Sequence, residues 1–405
     1  MRIQRTIPPA AAPLEFKDLA HGLSGIFTGG RSIRKRKEEL GKYFGVRHVF
    51  PVSSGKAALT IILNALKSLS PGKNEVLIPA YTCFSVPSAI VKAGLRVSLC
   101  DIDPATLDFD YKLLEESIHE KTLCVIPTHL FGIPSDVDKV KGICRERGIF
   151  VVEDAAQAMG GADKGKMLGT GGDAGFFSFG RGKNITCGSG GIIVTNSDRI
   201  AEAIAEHYDD LESPTITEDL REFVKLILMK IFIHPALYWF PSGISSLQLG
   251  QTRFYKDFPV KKMSGMKAGV LRDWKVRLEQ ANQARKKTGA FLREQLQLDK
   301  KNRKGDIPCL RLPVLMTCRE VRDRVYSFSQ AEGLGLSPMY PSPINEIEEL
   351  KGDLDGRAFP SAKQVSERLL TIPTHHLLSK KDKKRICNRT RHSTMSMQHE
   401  LIASR

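Results

Sequence analysis

Between residues 50 and 200 the chain repeats one unit: a short apolar run rich in β-branched residues, a turn, and a helical stretch. Runs that are apolar on both faces are covered on both faces, so this rhythm predicts an α/β fold with a mainly parallel central sheet flanked by helices. The expected strands are Glu75 to Ile78, Arg96 to Cys100, Leu123 to Ile126, Ile149 to Val152, Ala174 to Ser178 and Gly191 to Val194, with a short one at Val49-Phe50. The expected helices are Lys56 to Leu69, Ser85 to Ala93, Tyr111 to Ile118, Ser135 to Arg147 and Asp198 to Asp209, several starting at a Ser or Asp able to cap free amides.

Beyond residue 265 the pattern turns helical, with Val270 to Leu298 reading as one long amphipathic helix, and a mixed segment runs on to about residue 390. A chain of 405 residues exceeds one small core, so two units are expected. They are a large α/β domain over residues 1–255, with an apolar insertion at about 220–250, and a smaller C-terminal α+β domain over residues 256–405.

Hydrophobic residues make up 41% and charged residues 26%, which excludes disordered, collagenous and coiled-coil chains. Eight cysteines without a CxxC pair or regular spacing give neither a disulfide framework nor a zinc site. The first residues carry charge but no apolar stretch of signal-peptide length, so a reducing, cytoplasmic setting is expected. The net charge of +16 is gathered at Arg31 with Arg34-Lys35-Arg36-Lys37, at Lys300-Lys301 with Arg303-Lys304, and from Lys380 to Arg391. No nucleic-acid-binding signature accompanies these runs and aromatics are not interleaved with them, so they read as solvated surface, with attraction to anionic substrates or an acidic membrane face as the alternative.

One segment breaks the pattern. Residues 223–241 are apolar but interrupted by Lys225, Lys230 and Pro235, which argues against a membrane-spanning helix. A buried or interface-forming helical hairpin is the plainer expectation. Peripheral contact with a bilayer, with Tyr238 and Trp239 at headgroup level, is the sharper one.

The chemistry lies where the strands end. Asp154 closes the run Val151-Val152-Glu153, Ser178 closes the next expected strand, and Lys183 follows five residues later in a loop of small residues, Gly180-Arg181-Gly182 before it and Gly188-Ser189-Gly190-Gly191 after it. Ligands of open α/β sheets bind at carboxyl strand ends. An acid, a hydroxyl and a lysine gathered there are the groups needed to hold pyridoxal phosphate: the carboxylate pairs with the pyridinium nitrogen, the hydroxyl binds phosphate and the amine forms the Schiff base. Ser54-Gly55-Lys56 opens a helix whose free amides and dipole suit a phosphate dianion, and Gln157 stands within reach of the ring oxygen. Taken singly, Asp154 also reads as a helix cap, Ser54-Gly55 as a plain helix start and Lys183 as surface charge; their spacing favours the cofactor.

At these residues the sequence resembles the DegT/DnrJ/StrS family of pyridoxal-phosphate-dependent sugar aminotransferases. Glu153-Asp154-Ala155-Ala156-Gln157, Phe177-Ser178-Phe179 with Lys183, Ser54-Gly55 with Ala57-Ala58-Leu59, and Ile78-Pro79-Ala80-Tyr81-Thr82 carry the resemblance. Asp101-Ile102-Asp103, His129-Leu130-Phe131-Gly132, Phe359-Pro360-Ser361-Ala362 and Leu370-Thr371-Ile372-Pro373 extend it over nearly the whole chain. It implies a fold-type I architecture, Lys183 as the Schiff-base lysine, Asp154 as the partner of the pyridine nitrogen, Gln157 as a ring-oxygen contact, and Ser178 with Ser54, Gly55 and Lys56 as the phosphate cup. It also implies a homodimer. The sequence departs from the family at Lys56, where threonine or serine is usual, and at Cys83, where an aromatic commonly stacks on the ring. The family's asparagine-bearing turn, which reaches the phosphate of the neighbouring subunit, is replaced near residues 259–263.

The implied reaction moves an amino group from an amino acid, usually L-glutamate, to a keto group on a nucleotide-linked sugar. Lysine at position 183 favours transamination, since a sister group that dehydrates sugars carries histidine there. Two other readings stay open: amination of a ketone outside nucleotide sugars, such as a cyclitol, and a non-catalytic regulatory or membrane-associated role.

Overall fold

The computed structural model describes residues 4–247, 249–250, 252–298, 307–352, 354 and 356–403, with side chains through residue 391. The basic run Lys300-Lys301 with Arg303-Lys304 lies outside the described residues.

The chain opens with helix α1 (Phe16–Phe44), then strand β1 (His48–Val52) and α2 (Gly55–Leu69). Alternation follows: β2 (Glu75–Pro79), α3 (Ser85–Lys92), β3 (Arg96–Cys100), the small hairpin β4 (Ile102–Asp103) and β5 (Asp108–Phe109), α4 (Tyr111–Ser117), β6 (Thr122–Val125), α5 (Val137–Arg145) and β7 (Phe150–Asp154). A second small hairpin, β8 (Ala162–Asp163) and β9 (Lys166–Met167), leads to β10 (Ala174–Ser178), β11 (Gly191–Thr195), α6 (Asp198–Asp209), α7 (Ile216–Phe232) and α8 (Trp239–Ser242). The remainder is α9 (Gly265–Val270), α10 (Trp274–Gln295), β12 (Arg311–Leu315), α11 (Arg319–Glu332), α12 (Pro360–Arg368), β13 (Leu369–Pro373) and α13 (Lys380–Ala403).

Seven strands form one sheet in the order β1-β11-β10-β7-β6-β2-β3. The pairs from β10 through β3 are parallel, while β11 runs antiparallel to both β10 and β1. The apolar strands are sealed on both faces. One cluster packs Ile61, Leu63, Ile78, Leu99 and Ile126 under α2 and α3, and another packs Phe177, Phe179 and Ile192 against Leu40, Phe44 and Trp274. Because β7 and β10 are parallel neighbours, with Phe176 opposite Asp154, the ends of both strands open on the same edge. Arg311–Leu315 and Leu369–Pro373 pair antiparallel in a separate two-stranded sheet with its own apolar cluster, which includes Val325, Leu334, Leu370 and Ile386.

Two features differ from the sequence reading. The single helix expected from Val270 to Leu298 is α10, Trp274–Gln295, and starts later than expected because the backbone turns at Leu271–Asp273 after α9. Helix α1, not anticipated, contains part of the basic run assigned to solvent: Arg36 is buried and donates to the carbonyls of Leu271 and Arg272 and to Glu39. It packs on α9 by backbone contact, for a Cβ on Gly25 would lie 2.2 Å from the carbonyl oxygen of Gly265. Gly29, at φ +36°, bends α1 within that crossing, where a Cβ on Gly265 would lie 2.7 Å from the Gly29 Cα.

The apolar segment 223–241 falls in α7, a turn at His234-Pro235 and α8. Among the described residues no helix is long and apolar enough to cross a membrane. Phe223 and Leu226 pack inward, whereas Ile216, Leu220, Val224, Leu228 and Ile231 form an exposed row at helical spacing. Ahead of α1, the N-terminal residues strap the far parts of the chain together. Arg5 pairs with Asp382 at 2.7 Å, the amide of Thr6 donates to the Pro235 carbonyl, the amide of Ile7 to the Gly333 carbonyl, and the Pro8 carbonyl meets His375 Nε2.

Candidate active site

Helix α2 begins at the edge where β7 and β10 end. Ser54 caps it, its Oγ accepting the Ala57 amide at 3.0 Å, which leaves the Gly55 and Lys56 amides at the positive end of the helix dipole. Gly55 is pressed onto Ser178: a Cβ there would lie 2.9 Å from Ser178 Cβ and 3.2 Å from its Oγ. Ser178 Oγ also accepts the Gly180 amide at 3.3 Å, so the hydroxyl is held where strand β10 turns into the lysine loop.

Asp154 ends β7 with its side chain buried and Oδ1 accepting the Ala156 amide at 3.0 Å. Burial pushes its carboxyl above the usual aspartate range, opposed by the nearby Lys183 ammonium, the Ala156 amide and His129. The lysine singled out from the sequence therefore lies near enough to the acid to oppose that rise.

Gln157 is buried with both ends of its amide engaged. Oε1 accepts the Phe131 amide at 3.2 Å and Nε2 donates to the Tyr340 hydroxyl at 3.0 Å. Cys83 is half-buried, its Sγ 3.6 Å from Thr252 Oγ1. Lys56 extends its ammonium between two rings, 4.6 Å from that of Tyr255 and 4.4 Å from that of Phe258, and burial lowers its pKa while Cys83 opposes the shift. Ser54, Gly55, Asp154, Ser178 and Lys183 are thus gathered directly. Gln157 lies buried beside Tyr340, and Lys56 and Cys83 are half-buried near the starts of α2 and α3.

Three further groups belong to this neighbourhood. His129 and Glu153 form a fully buried pair at 2.7 Å, and Glu153 also accepts the amides of Gly169, Gly171 and Gly172. Burial works against the Glu153 charge, but the His129 ring and those amides hold its carboxyl below the usual range. Glu153 thus sustains the loop behind Asp154. Tyr340 stands between Phe84 and Phe131, with its hydroxyl pKa raised well above the usual phenol range by burial, then by Cys83 and Asp154. The segment from Thr252 to Phe258 lies over the α2 and α3 starts, where the Tyr255 amide donates to Ser88 Oγ. His129 sits in a quoted motif and Glu153 beside Asp154, so both were within reach of sequence reading; Tyr340 lies 183 residues from Gln157 and gave no local signal.

The fold is that of the fold-type I aminotransferases. The chain belongs to the DegT/DnrJ/EryC1/StrS aminotransferase family, whose profile matches residues 15–227 and 243–391 and breaks off within the apolar insertion. Pyridoxal phosphate is the cofactor of this family. The chain is 36% identical over 180 residues to a pleiotropic regulatory protein of Geobacillus stearothermophilus, covering 44% of this chain and 48% of that protein. It is 34% identical over 177 residues to GDP-perosamine synthase of Vibrio cholerae, covering 44% of this chain and 48% of that enzyme. These matches span about half the length of the relatives. In structure the chain is similar to PseC of Helicobacter pylori, an aminotransferase involved in the biosynthesis of pseudoaminic acid, with a TM-score of 0.78 at 16% identity over 96% of this chain and 100% of that one. It is also similar to the Escherichia coli GDP-4-keto-6-deoxy-D-mannose-3-dehydratase with bound hydrated PLP, with a TM-score of 0.76 at 17% identity over 96% of this chain and 100% of that one.

The residues fit the cofactor. Asp154 is a buried carboxylate that accepts the Ala156 backbone amide, and a protonated ring nitrogen supplies the cation such a group requires. The space that a Cβ on Gly55 would fill lies between Ser178 and the free amides of α2, which suits a phosphate.

Proposed function

We propose that this protein is a pyridoxal-phosphate-dependent aminotransferase that moves an amino group from an amino acid, L-glutamate, to the keto group of a nucleotide-linked sugar in polysaccharide or glycoconjugate biosynthesis. The observation that carries the reading is the meeting of Asp154, Lys183 and the Gly55–Ser178 contact at one edge of the sheet. The names of the relatives, GDP-perosamine synthase among them, supply the substrate class.

When bound, the cofactor supplies an aldehyde for the amine and a ring that accepts electrons from the carbon losing its proton. In this reading Asp154 keeps the ring nitrogen protonated, and Ser178, Ser54, Gly55 and Lys56 hold the phosphate. Gln157 and Cys83 border the ring. Lys183 would bind the aldehyde and, once displaced by the donor, would take the proton from the donor's α-carbon in one half-reaction and deliver a proton to the carbon being aminated in the other. Division into a cofactor-binding unit of residues 1–255 and a smaller unit of residues 256–405 belongs to the same reading, supported by the separate apolar cluster around β12 and β13. So does a homodimer, in which a second copy covers the exposed row on α7.

Purified protein given pyridoxal phosphate is expected to show a visible absorbance band that glutamate bleaches. Lys183→Ala abolishes both, and a panel of nucleotide keto sugars read by mass spectrometry identifies the acceptor. Persistence of the band and of bleaching in Lys183→Ala defeats the proposal. A second reading, a membrane-associated or regulatory role, is favoured by the exposed row from Ile216 to Ile231. Sedimentation with anionic liposomes, together with absent amino transfer, would select it.

A further inference from the structure

Strands β7 and β10 fix the backbone only as far as Asp154 and Ser178. Beyond them the chain runs in two loops, one carrying Gln157 to Gly160 and the other Gly180 to Gly190, and no sheet bond sets the distance between these loops. Helix α10 does. Arg285 is 1% exposed, and burial lowers its pKa to about 10. Its guanidinium meets amide oxygens: Nη2 donates to the Lys183 carbonyl at 3.3 Å and to the Ala11 carbonyl at 3.3 Å, and Nη1 donates to the Asn184 carbonyl at 3.2 Å and to Asn282 Oδ1 at 3.2 Å.

Asn282, one turn earlier, completes the connection. Its Nδ2 donates to the Met159 carbonyl at 2.9 Å, and its Oδ1 accepts Asn184 Nδ2 at 3.2 Å. The approach is close enough to require Gly160, at φ +77°, where a Cβ would lie 2.7 Å from Asn282 Nδ2. A buried guanidinium is costly, and an apolar side chain would fill the same volume without that penalty. What the guanidinium adds is charged hydrogen bonding to two successive carbonyls, one of them that of the lysine.

We infer that Asn282 and Arg285 are positioning residues that fasten the loop following Asp154 to the loop bearing Lys183, and so set the separation of acid and amine. The inference rests on the proposed function for its meaning, but the fastening itself is a property of the protein without cofactor.

Hydrogen exchange on the cofactor-free protein tests it, comparing wild type with Arg285→Lys, Arg285→Gln and Asn282→Ala. In all three variants exchange over residues 180–186 is expected to accelerate about tenfold while β7 and β11 keep wild-type protection. Pyridoxal phosphate affinity falls about tenfold by titration, with Arg285→Lys retaining more than Arg285→Gln. Wild-type exchange over 180–186 and wild-type affinity in a folded Arg285→Gln overturn the inference. If Arg285→Gln does not fold, Asn282→Ala decides by the same readings. Should wild-type protein itself take up no cofactor, the functional reading fails while the exchange result still judges the fastening.

Discussion

Gly55 and Ser178 meet across the seam between α2 and β10 so closely that a single methyl group on the glycine would sit 2.9 Å from Ser178 Cβ. Neither can shift freely, since Gly55 starts a helix buried along most of its length and Ser178 ends a central strand. Gly55→Ala is therefore expected to displace the serine hydroxyl and fill the phosphate space. Affinity for pyridoxal phosphate falls at least about tenfold with the fold intact, by absorbance titration beside circular dichroism.

Lys56 places its ammonium beside the same helix start. If that charge serves the phosphate, Lys56→Met weakens pyridoxal phosphate by roughly tenfold and leaves pyridoxal, which lacks the phosphate, almost unaffected. Equal weakening of both ligands assigns Lys56 only to packing between Tyr255 and Phe258.

Asp154 gives the cofactor-free protein a pH signature. A carboxyl whose pKa is raised by folding binds its proton more tightly in the native chain. Its contribution to stability is whole below about pH 4 and is lost as pH climbs through the raised value. Urea unfolding across that window should show a decline in wild type that Asp154→Asn lacks. Parallel curves would remove the argument that this acid is strained by burial.

Helix α1 rests on α9 through Gly25 and Gly265, with a Cβ on Gly269 falling 2.3 Å from the His21 carbonyl oxygen. Gly25→Ala is expected to cost about 2 kcal/mol, the helix-forming advantage of alanine being outweighed by the forced separation of the two backbones. Denaturant melts measure it, with Gly30→Ala, which meets nothing within 4 Å, as the control.

The sheet was legible because β2, β3, β6, β7 and β10 are buried on both faces, and their composition says so without knowledge of neighbours. The placing of Asp154 and Ser178 at neighbouring strand ends was legible for a related reason: strand ends are local, and one sheet is enough to bring them together. Helix α1 was not, because its buried residues include Asp18, Gly22, Gly25 and Arg36, which look polar or small in isolation and become interior only against α9. The start of α10 was expected at Val270 rather than Trp274, since no proline marks the turn at Leu271–Asp273. Tyr340, Asn282 and Arg285 reach the site from distant segments, and pattern along the chain carries no trace of such meetings.

The strap that joins Arg5 to Asp382 spans 377 positions. During synthesis on a ribosome, which delivers about 5–20 residues per second, its anchoring residues at 235, 333, 375 and 382 emerge long after the strap itself. Residues 5 to 8 wait without these partners until Asp382 has been made, which makes closure of this strap a late event in folding during synthesis.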